Sequence, residues 1–279
     1  TYTEPSPAVK YRGIFINDED WGMEPWARLT FDPSGDIGPT TYARVFELLL
    51  RLHANYIWPG MHPTTLPYYT IPGNKKVADD YAIVVGTSHH EPMARNTEEY
   101  DPNVLGPYNY WINRAAISNF WDLRVVELTN SENVYTIGMR GLTDDGIISP
   151  SGTSTQQKAD KLQNEIIPDQ RAMIAKHLNP NPALVPQIFV PYKEALTLYQ
   201  TGLQLPDDVT LVWVDDNHGY IRQLSTTAEQ ARSGGSGVYY HQSYWGVPRN
   251  YLWLCTTPPA MTWSEMSKAW DYDARRIWI

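Results

Sequence analysis

The chain has 279 residues, a formal net charge of −9 at pH 7, 42% apolar residues and 19% charged residues. This balance is typical of a globular protein with one large core, and a single α/β barrel reaches this length. The acidic charge argues against a nucleic-acid partner, because a polyanion would be repelled and no lysine–arginine cluster offsets the field. No apolar run approaches the roughly 18 residues of a membrane span, which argues against a membrane protein.

The cysteine and aromatic contents narrow the class further. A single cysteine, Cys255, excludes an intrachain disulfide. The chain has 11 Trp and 19 Tyr but only 5 Phe. Trp and Tyr combine flat apolar faces with polar edges, which suits stacking on sugar rings. The same side chains also fill large cores, and composition alone leaves both interpretations open.

Short apolar strands alternate with amphipathic helices, which is the pattern of a parallel sheet covered by helices. The eight predicted strands span residues 12–16, 55–58, 83–86, 134–139, 187–190, 209–214, 237–241 and 276–279. One predicted helix has Pro39 in its first turn, a position that proline favours. Further helices are predicted at 75–82, 117–128, 262–270 and 158–178, and Pro168 is expected to kink the last of these.

Eight strands with intervening helices favour a (β/α)8 TIM barrel, and an open doubly wound sheet is the alternative. Doubly wound dinucleotide-binding folds carry a Gly-rich turn after their first strand. Here the first strand runs into the acidic stretch 17–20, NDED, which would repel a pyrophosphate. We therefore predict a short linker over residues 1–10 and one barrel domain over residues 11–279. The chain stops within the eighth predicted strand, so we expect a truncated barrel from a larger multidomain enzyme.

Seven consecutive predicted strands are followed by polar or aromatic side chains. In a parallel barrel these strand ends meet at one mouth, where active sites form. The loops at the other end, such as 179–186 and 202–208, hold mostly Pro, Asn and Gly. Some strand-end acids are expected to cap helices, but the asymmetry predicts an active site. The strand-end residues of interest are Asp18, Trp58, His62, His89, His90, Glu91, Arg140, Asp144, Glu194, Asp215, Asn217, His241, Tyr244 and Trp245.

These residue types favour chemistry by carboxylates. No G-x-S-x-G elbow is present, and Cys255 has no base nearby in the sequence. Hydrolysis of a glycoside needs two carboxyl groups on opposite sides of the scissile bond. A catalytic metal is the alternative, because the strand-end histidines and Glu91 are ligand types. None of them has the His-x-x-x-His spacing of a helical zinc site, and the first strand lacks the His-x-His of metal-dependent barrels.

Several long motifs, in chain order, resemble glycoside hydrolase family 115 over nearly the whole chain. In one-letter code they are YRGIFINDEDWG at 11–22, NYIWPGMHP at 55–63, IGMRG at 137–141, VPYKE at 190–194, WVDDN at 213–217, and GGSGVYYH at 234–241 followed by SYWG at 243–246. The resemblance implies an inverting α-glucuronidase that releases glucuronic acid, or its 4-O-methyl form, α-1,2-linked to xylose in glucuronoxylan. It implies no metal and no organic cofactor.

The resemblance also assigns site residues. It implies that Glu194 and Asp144 are the catalytic carboxylates, with Asp18 as a further pocket acid. Arg140, Asn217, His241 and Tyr244 match pocket residues. Which of the two main carboxylates is the acid and which is the base stays open. An inverting pair is expected about 6.5–9.5 Å apart.

The residues themselves support further expectations about the pocket. The planar fork of Arg140 can bind the substrate carboxylate, or it can pair with Asp144 or Glu194. The aromatic rings of Trp58, Tyr244 and Trp245 can line the sugar pocket or be buried. His62 and His241 are expected to donate hydrogen bonds to sugar hydroxyls or a carboxylate, and a purely structural role is the alternative.

The expected partner is glucuronoxylan or its oligosaccharides, with no nucleic acid and no membrane. We expect a secreted or periplasmic enzyme and a homodimer formed through domains absent from this chain. Two other functions remain open, a metal-dependent barrel hydrolase and a non-catalytic barrel that binds uronate. Chelator sensitivity would distinguish the first, and binding without turnover the second.

Overall fold

Eight parallel strands form the centre of the computed structural model, which describes residues 3, 5–17, 19–32, 36–242 and 255–279. The strands are β1 Tyr11–Phe15, β2 Tyr56–Trp58, β3 Val84–Val85, β4 Tyr135–Thr136, β5 Gln187–Phe189, β6 Thr210–Val214, β7 Ser236–Tyr239 and β8 Ala274–Trp278. Each lies within or beside its predicted range. The strand predictions are therefore confirmed, and six of the eight strands are shorter than the apolar runs indicated.

Helices separate the strands and cover the outside of the sheet. They are α1 Glu24–Thr30, α2 Pro39–Arg51, α3 Asn74–Asp80, α4 Pro102–Leu105, α5 Arg114–Glu127, α6 Thr155–Lys161, α7 Ile167–His177, α8 Glu194–Gln200, α9 Thr227–Gln230 and α10 Pro259–Asp271. The predicted long helix at 158–178 corresponds to α6 and α7, joined by a wide π turn at Leu162–Ile166. Pro168 follows this turn in the first turn of α7, where its missing N–H is tolerated. None of the described helices is both long enough and apolar enough to cross a membrane.

The strand order is β3-β2-β1-β8-β7-β6-β5-β4, and every neighbouring pair is parallel. Sequence neighbours lie side by side and β1 lies beside β8, so the order does not reverse at the centre as it does in a doubly wound sheet. The two outer strands also approach each other, because Val85 N donates to Glu132 O (3.2 Å) and Val134 N donates to Val85 O (3.0 Å). The sheet is therefore curled into a barrel-like α/β fold.

Aromatic side chains fill the space that the strands enclose. The fully buried rings of Trp58 and Trp278 stack with centroids 5.5 Å apart, and Phe15 and Tyr239 pack edge-on against Trp58. Edge-to-face and offset contacts of this kind add to the stabilisation from burial. Much of the Trp and Tyr content thus packs the core. Trp58, predicted to line a sugar pocket, lies in this interior instead, because its ring is 0% exposed.

Candidate active site

A cavity of about 680 Å³ opens where the strands end. This volume lies in the range of small-molecule sites. Its wall combines apolar and ionisable groups, and four of the seven histidines of the chain contribute to it. The lining residues are Ile14, Phe15, Asn17, Met61, His62, Pro63, His89, His90, Glu98, Leu142, Thr143, Asp144, Tyr192, Lys193, Tyr239, Tyr240, His241, Gln242 and Ile279.

Arg140 joins the two predicted catalytic carboxylates beside this cavity. Its Nε and Nη2 donate to the two oxygens of Glu194, at 2.5 and 2.8 Å. Its Nη1 donates to Oδ1 of Asp144, and Nη2 also donates to the Asp144 backbone oxygen at 3.1 Å. Described residues therefore engage four of the five N–H groups of a guanidinium. The structure brings all three residues together, and it places the carboxylates on two edges of one cation.

The backbone before Arg140 is fixed by a buried glutamine. Gly138 has φ +97°, a conformation that favours glycine. Gln170 on α7 is fully buried; its Oε1 accepts from Gly138 N (2.8 Å), and its Nε2 donates to Gly138 O (2.7 Å). These two bonds replace strand pairing, which explains why β4 ends earlier than predicted. They also direct the following residues, including Arg140, toward the mouth.

Asp144 is surrounded by hydrogen-bond donors. Besides Arg140, it accepts from Nζ of Lys193 (2.6 Å) and contacts Nε2 of His89 (3.1 Å). Burial alone would raise the pKa of Asp144, but the hydrogen bonds from His89, Lys193 and Arg140 outweigh it and hold the pKa far below the usual range. Asp144 is thus ionised at neutral pH. It can accept a proton from water, but it cannot serve as a proton donor in this state.

Glu194 is the first residue of α8 and stands next to the cavity rather than on its wall. Its side chain is 34% exposed, and both of its oxygens accept from Arg140. Lys193 precedes it with φ +50° and ψ −125°, a conformation that is rare for a residue with a side chain. Because Gly146 has no side chain, the Glu194 side chain can pass close to its backbone; an added Cβ at Gly146 would lie 3.3 Å from Glu194 Cγ.

His89 forms part of an aromatic wall. Its ring packs edge-on against Tyr192 (4.7 Å between centroids) and stacks on Tyr239 (6.1 Å). Burial lowers the pKa of His89 despite its contact with Asp144. The neutral ring that results donates from Nε2 to Asp144, and its buried Nδ1 has no hydrogen-bond partner among the residues that the structure describes.

A second carboxylate–histidine pair lies across the mouth. Oδ1 of Asp215 contacts Nδ1 of His241 (2.5 Å) and accepts from the His241 backbone N–H (3.1 Å). The Asp215 side chain is fully buried, whereas His241 reaches the cavity wall. Because the carboxylate fixes the ring through Nδ1, His241 is oriented to use Nε2 for hydrogen bonding.

The other predicted residues divide into three groups. His62 lies on the cavity wall, with Nδ1 3.5 Å from Oδ1 of Asp20. Asn217 has φ +64° and lies off the wall, and its buried Oδ1 has no partner within the described part of the chain. The predictions for Asp18, Tyr244 and Trp245 fall outside the described residues.

Sequence reasoning gave too little weight to Lys193 and Asp215. Lys193 belongs to the VPYKE motif, which assigns it no role of its own, but its ammonium contacts Asp144 and lines the cavity. Its position at a strand end was the available signal. Asp215 follows a strand, which gives it no role by itself, and only the fold reveals its pairing with His241.

No group of three or more His, Cys, Asp or Glu side chains in the described ranges is arranged to hold a metal ion. The ionisable groups that the described residues bring to this site are carboxylates, histidines and two cations, Arg140 and Lys193. Paired carboxylates beside a cavity at this end of a barrel-like sheet are typical of enzymes that act on carbohydrates.

Comparison with known proteins agrees with this class. The profile of glycosyl hydrolase family 115 matches residues 4–279, so the chain belongs to that family. A solved structure described as "A novel family GH115 4-O-Methyl-alpha-glucuronidase, BtGH115A, with specificity for decorated arabinogalactans" is similar at 46% identity, with a TM-score of 0.91 over 98% of this chain. The chain spans 36% of the length of that relative. No curated protein sequence matches the chain.

Proposed function

We propose that this chain carries the active site of an α-glucuronidase that removes glucuronic acid, or 4-O-methylglucuronic acid, α-1,2-linked to xylose in glucuronoxylan. The observation that carries the proposal is the junction of Asp144 and Glu194 on Arg140, beside a cavity of about 680 Å³. Family membership and the activity named for the similar structure support release of a glucuronic acid side group. That this side group is carried by a xylan polysaccharide is part of the proposal.

We assign the two carboxylates different roles. Asp144 has its pKa held far below the usual range, so it acts as the base, and Glu194 is left as the acid. Asp144 takes a proton from water as the water oxygen bonds to the anomeric carbon. Glu194 gives its proton to the glycosidic oxygen as the bond from that oxygen to the anomeric carbon breaks. This single displacement inverts the configuration, so the β-anomer of the uronic acid forms first.

For Glu194 to hold that proton, one of its oxygens must give up its hydrogen bond from Arg140. The guanidinium retains its bonds to Asp144 during this change, so it keeps the base in place. Arg140 is 4% exposed, and its N–H groups are directed at the two acids. We therefore assign Arg140 to holding the carboxylates rather than to binding the substrate.

A second polysaccharide is a specific candidate for the substrate. The similar structure is named for specificity for decorated arabinogalactans, and it is 46% identical to this chain over the part that the two proteins have in common. The same uronic acid would then be released from a galactan side chain instead of from xylose. A metal-dependent hydrolase has less support, because no ligand cluster is found within the described ranges.

We also infer that the curled sheet is a (β/α)8 barrel, which the Val85 contacts between β3 and β4 support. Polymeric substrates of this kind lie outside the cell, so we propose secretion or export to the periplasm. A homodimer through domains beyond this chain is part of the same proposal.

Proton NMR of the reaction tests the function directly. The full-length protein is incubated with glucuronoxylan and, separately, with glucuronic-acid-decorated arabinogalactan. We expect free uronic acid, with the β-anomeric signal appearing before mutarotation produces the α-anomer. Release from arabinogalactan alone would refute the xylan assignment, and an α-anomer first would refute inversion. If the protein binds the polymers but releases uronic acid from neither, the result would favour a non-catalytic protein that binds uronate.

A further inference from the structure

Two cations lie at this site, but they differ in what they offer a ligand. Arg140 is buried and donates four hydrogen bonds to Glu194 and Asp144. Lys193 is 42% exposed, lines the cavity, and its ammonium makes one hydrogen bond, to Oδ2 of Asp144, among the described residues. An ammonium carries three donors, so Lys193 has N–H groups beyond its bond to Asp144 with which to meet an incoming anion.

The local structure at Lys193 is unfavourable for a purely structural residue. Its φ of +50° is rare for a side-chain-bearing residue, and lysine is a poor residue for the N-terminal cap of a helix such as α8. Its partner Asp144 also has a positive φ, +55°. Strained backbone concentrates at functional sites, where the surrounding structure maintains it. Both members of the pair thus lie on backbone that a simple surface ion pair does not require.

The pairing also affects the base. Lys193 is one of three donors that hold Asp144 ionised, together with Arg140 and His89, and Glu194 faces it across Arg140. A carboxylate with three donors is a weak base, because each hydrogen bond stabilises the ionised form. Removing one donor would strengthen it. A uronic acid is the ligand that can do this, since its own carboxylate competes for the ammonium.

We propose that Lys193 recognises the charge of the substrate. In the free protein its ammonium pairs with Asp144. When a uronic acid binds, the carboxylate of the substrate displaces Asp144 from this ammonium, and Asp144 is then free to act on water. The inference rests on the proposed glucuronidase function. It makes Lys193 a specificity-determining residue, and it couples recognition of the acid group to activation of the base. A neutral sugar in the same cavity would leave Asp144 paired with Lys193, and its hydrolysis would be slow.

The test compares one oligosaccharide in two forms, with its uronic acid free or converted to the neutral methyl ester. Wild type is expected to prefer the free acid in kcat/KM by about 10- to 100-fold, the range of one charge-assisted hydrogen bond. Lys193→Met is expected to lose that factor on the free acid and to show a higher kcat than wild type on the ester. Lys193→Arg, which keeps the charge, should retain a preference for the acid.

Lys176→Met provides the control, because this exposed lysine pairs with Asp122 on the helical surface and should leave both rates unchanged. Thermal unfolding of each variant verifies that it folds. If Lys193→Met loses activity equally on acid and ester, the role of Lys193 is structural and the proposal is wrong. If it loses activity on the acid with an unchanged kcat on the ester, Lys193 binds substrate without controlling Asp144, which also overturns the proposal. Wild type that releases no uronic acid would instead refute the underlying function.

Discussion

Replacing Arg140 with methionine should destabilise the protein in a pH-dependent way. The substitution keeps most of the side-chain volume but removes the guanidinium. It abolishes the two bonds to the Glu194 carboxylate and the two bonds to Asp144. Glu194 then has no cation on either oxygen among the contacts described here, whereas Asp144 keeps Lys193 and His89.

The magnitude follows from the number and exposure of these bonds. A hydrogen bond to a charged group contributes about 1.5–3 kcal/mol, and losing one partner of a buried ion pair costs about 3–5 kcal/mol. Glu194 and Asp144 are 34% and 38% exposed, so water replaces part of what is lost. We expect the free energy of unfolding to fall by about 2–4 kcal/mol at neutral pH.

The pH dependence has a defined sign. The folded pKa of Asp144 lies far below its usual value, so its hydrogen bonds contribute stability above the unfolded pKa of about 3.9, and this is lost as pH falls toward the folded pKa. Arg140→Met weakens the lowering of this pKa. Because Lys193 and His89 still lower the pKa of Asp144 in the variant, the difference in stability between wild type and variant should keep its full size from neutral pH down to the unfolded pKa. It should shrink only as pH falls through the folded pKa of the variant.

Urea unfolding at pH 7, 3.5 and 2 measures the effect. Arg222→Met is the matched control, because the exposed Arg222 pairs with Asp216 at the surface and should change stability by less than about 0.5 kcal/mol. A difference for Arg140→Met that stays constant across this pH range, or that matches the control, would refute the reasoning about the two carboxylates.

Two further substitutions test how the surrounding fold supports the site. Gln170→Met removes the hydrogen-bond partner of both backbone groups of Gly138, so the free energy of unfolding in urea should fall by about 2–5 kcal/mol. The control is Gln200→Met, which removes an exposed side-chain hydrogen bond and should have little effect in the same titration. Trp58→Phe should reduce stability by about 1–3 kcal/mol and leave KM unchanged, because Trp58 lies in the core. A raised KM with unchanged stability would restore Trp58 to the sugar pocket, and Trp263→Phe, at an exposed ring, is its control.

The fold was largely predictable because each strand carries a local signal. The apolar runs locate all eight strands, and the absence of a Gly-rich turn after β1 excludes one doubly wound alternative. The length of β4 was not predictable in this way. It depends on Gln170, which comes from a helix more than thirty residues further along the chain and takes the backbone bonds of Gly138.

The site was predictable as a set of residues but not as a set of contacts. Strand ends placed Arg140, Asp144 and Glu194 at one mouth, and the structure brings them together. Sequence could not decide whether Arg140 faces the substrate or the acids, because that depends on burial. The same limit applies to Trp58, whose position at the end of a strand is compatible with either the core or the pocket rim. It also applies to Lys193, whose partner Asp144 is 49 residues away in the sequence.

The leaving-group dependence of two variants tests the assignment of the catalytic pair most directly. Glu194→Gln and Asp144→Asn are assayed on glucuronoxylan, whose leaving group needs a proton, and on α-glucuronyl fluoride, whose leaving group does not. We predict that Asp144→Asn loses about 10²–10⁴-fold in kcat on both substrates, and that Glu194→Gln loses a similar factor on the polymer but little on the fluoride. Equal losses for Glu194→Gln on both substrates, or a near-normal rate on the polymer, would contradict its role as the acid.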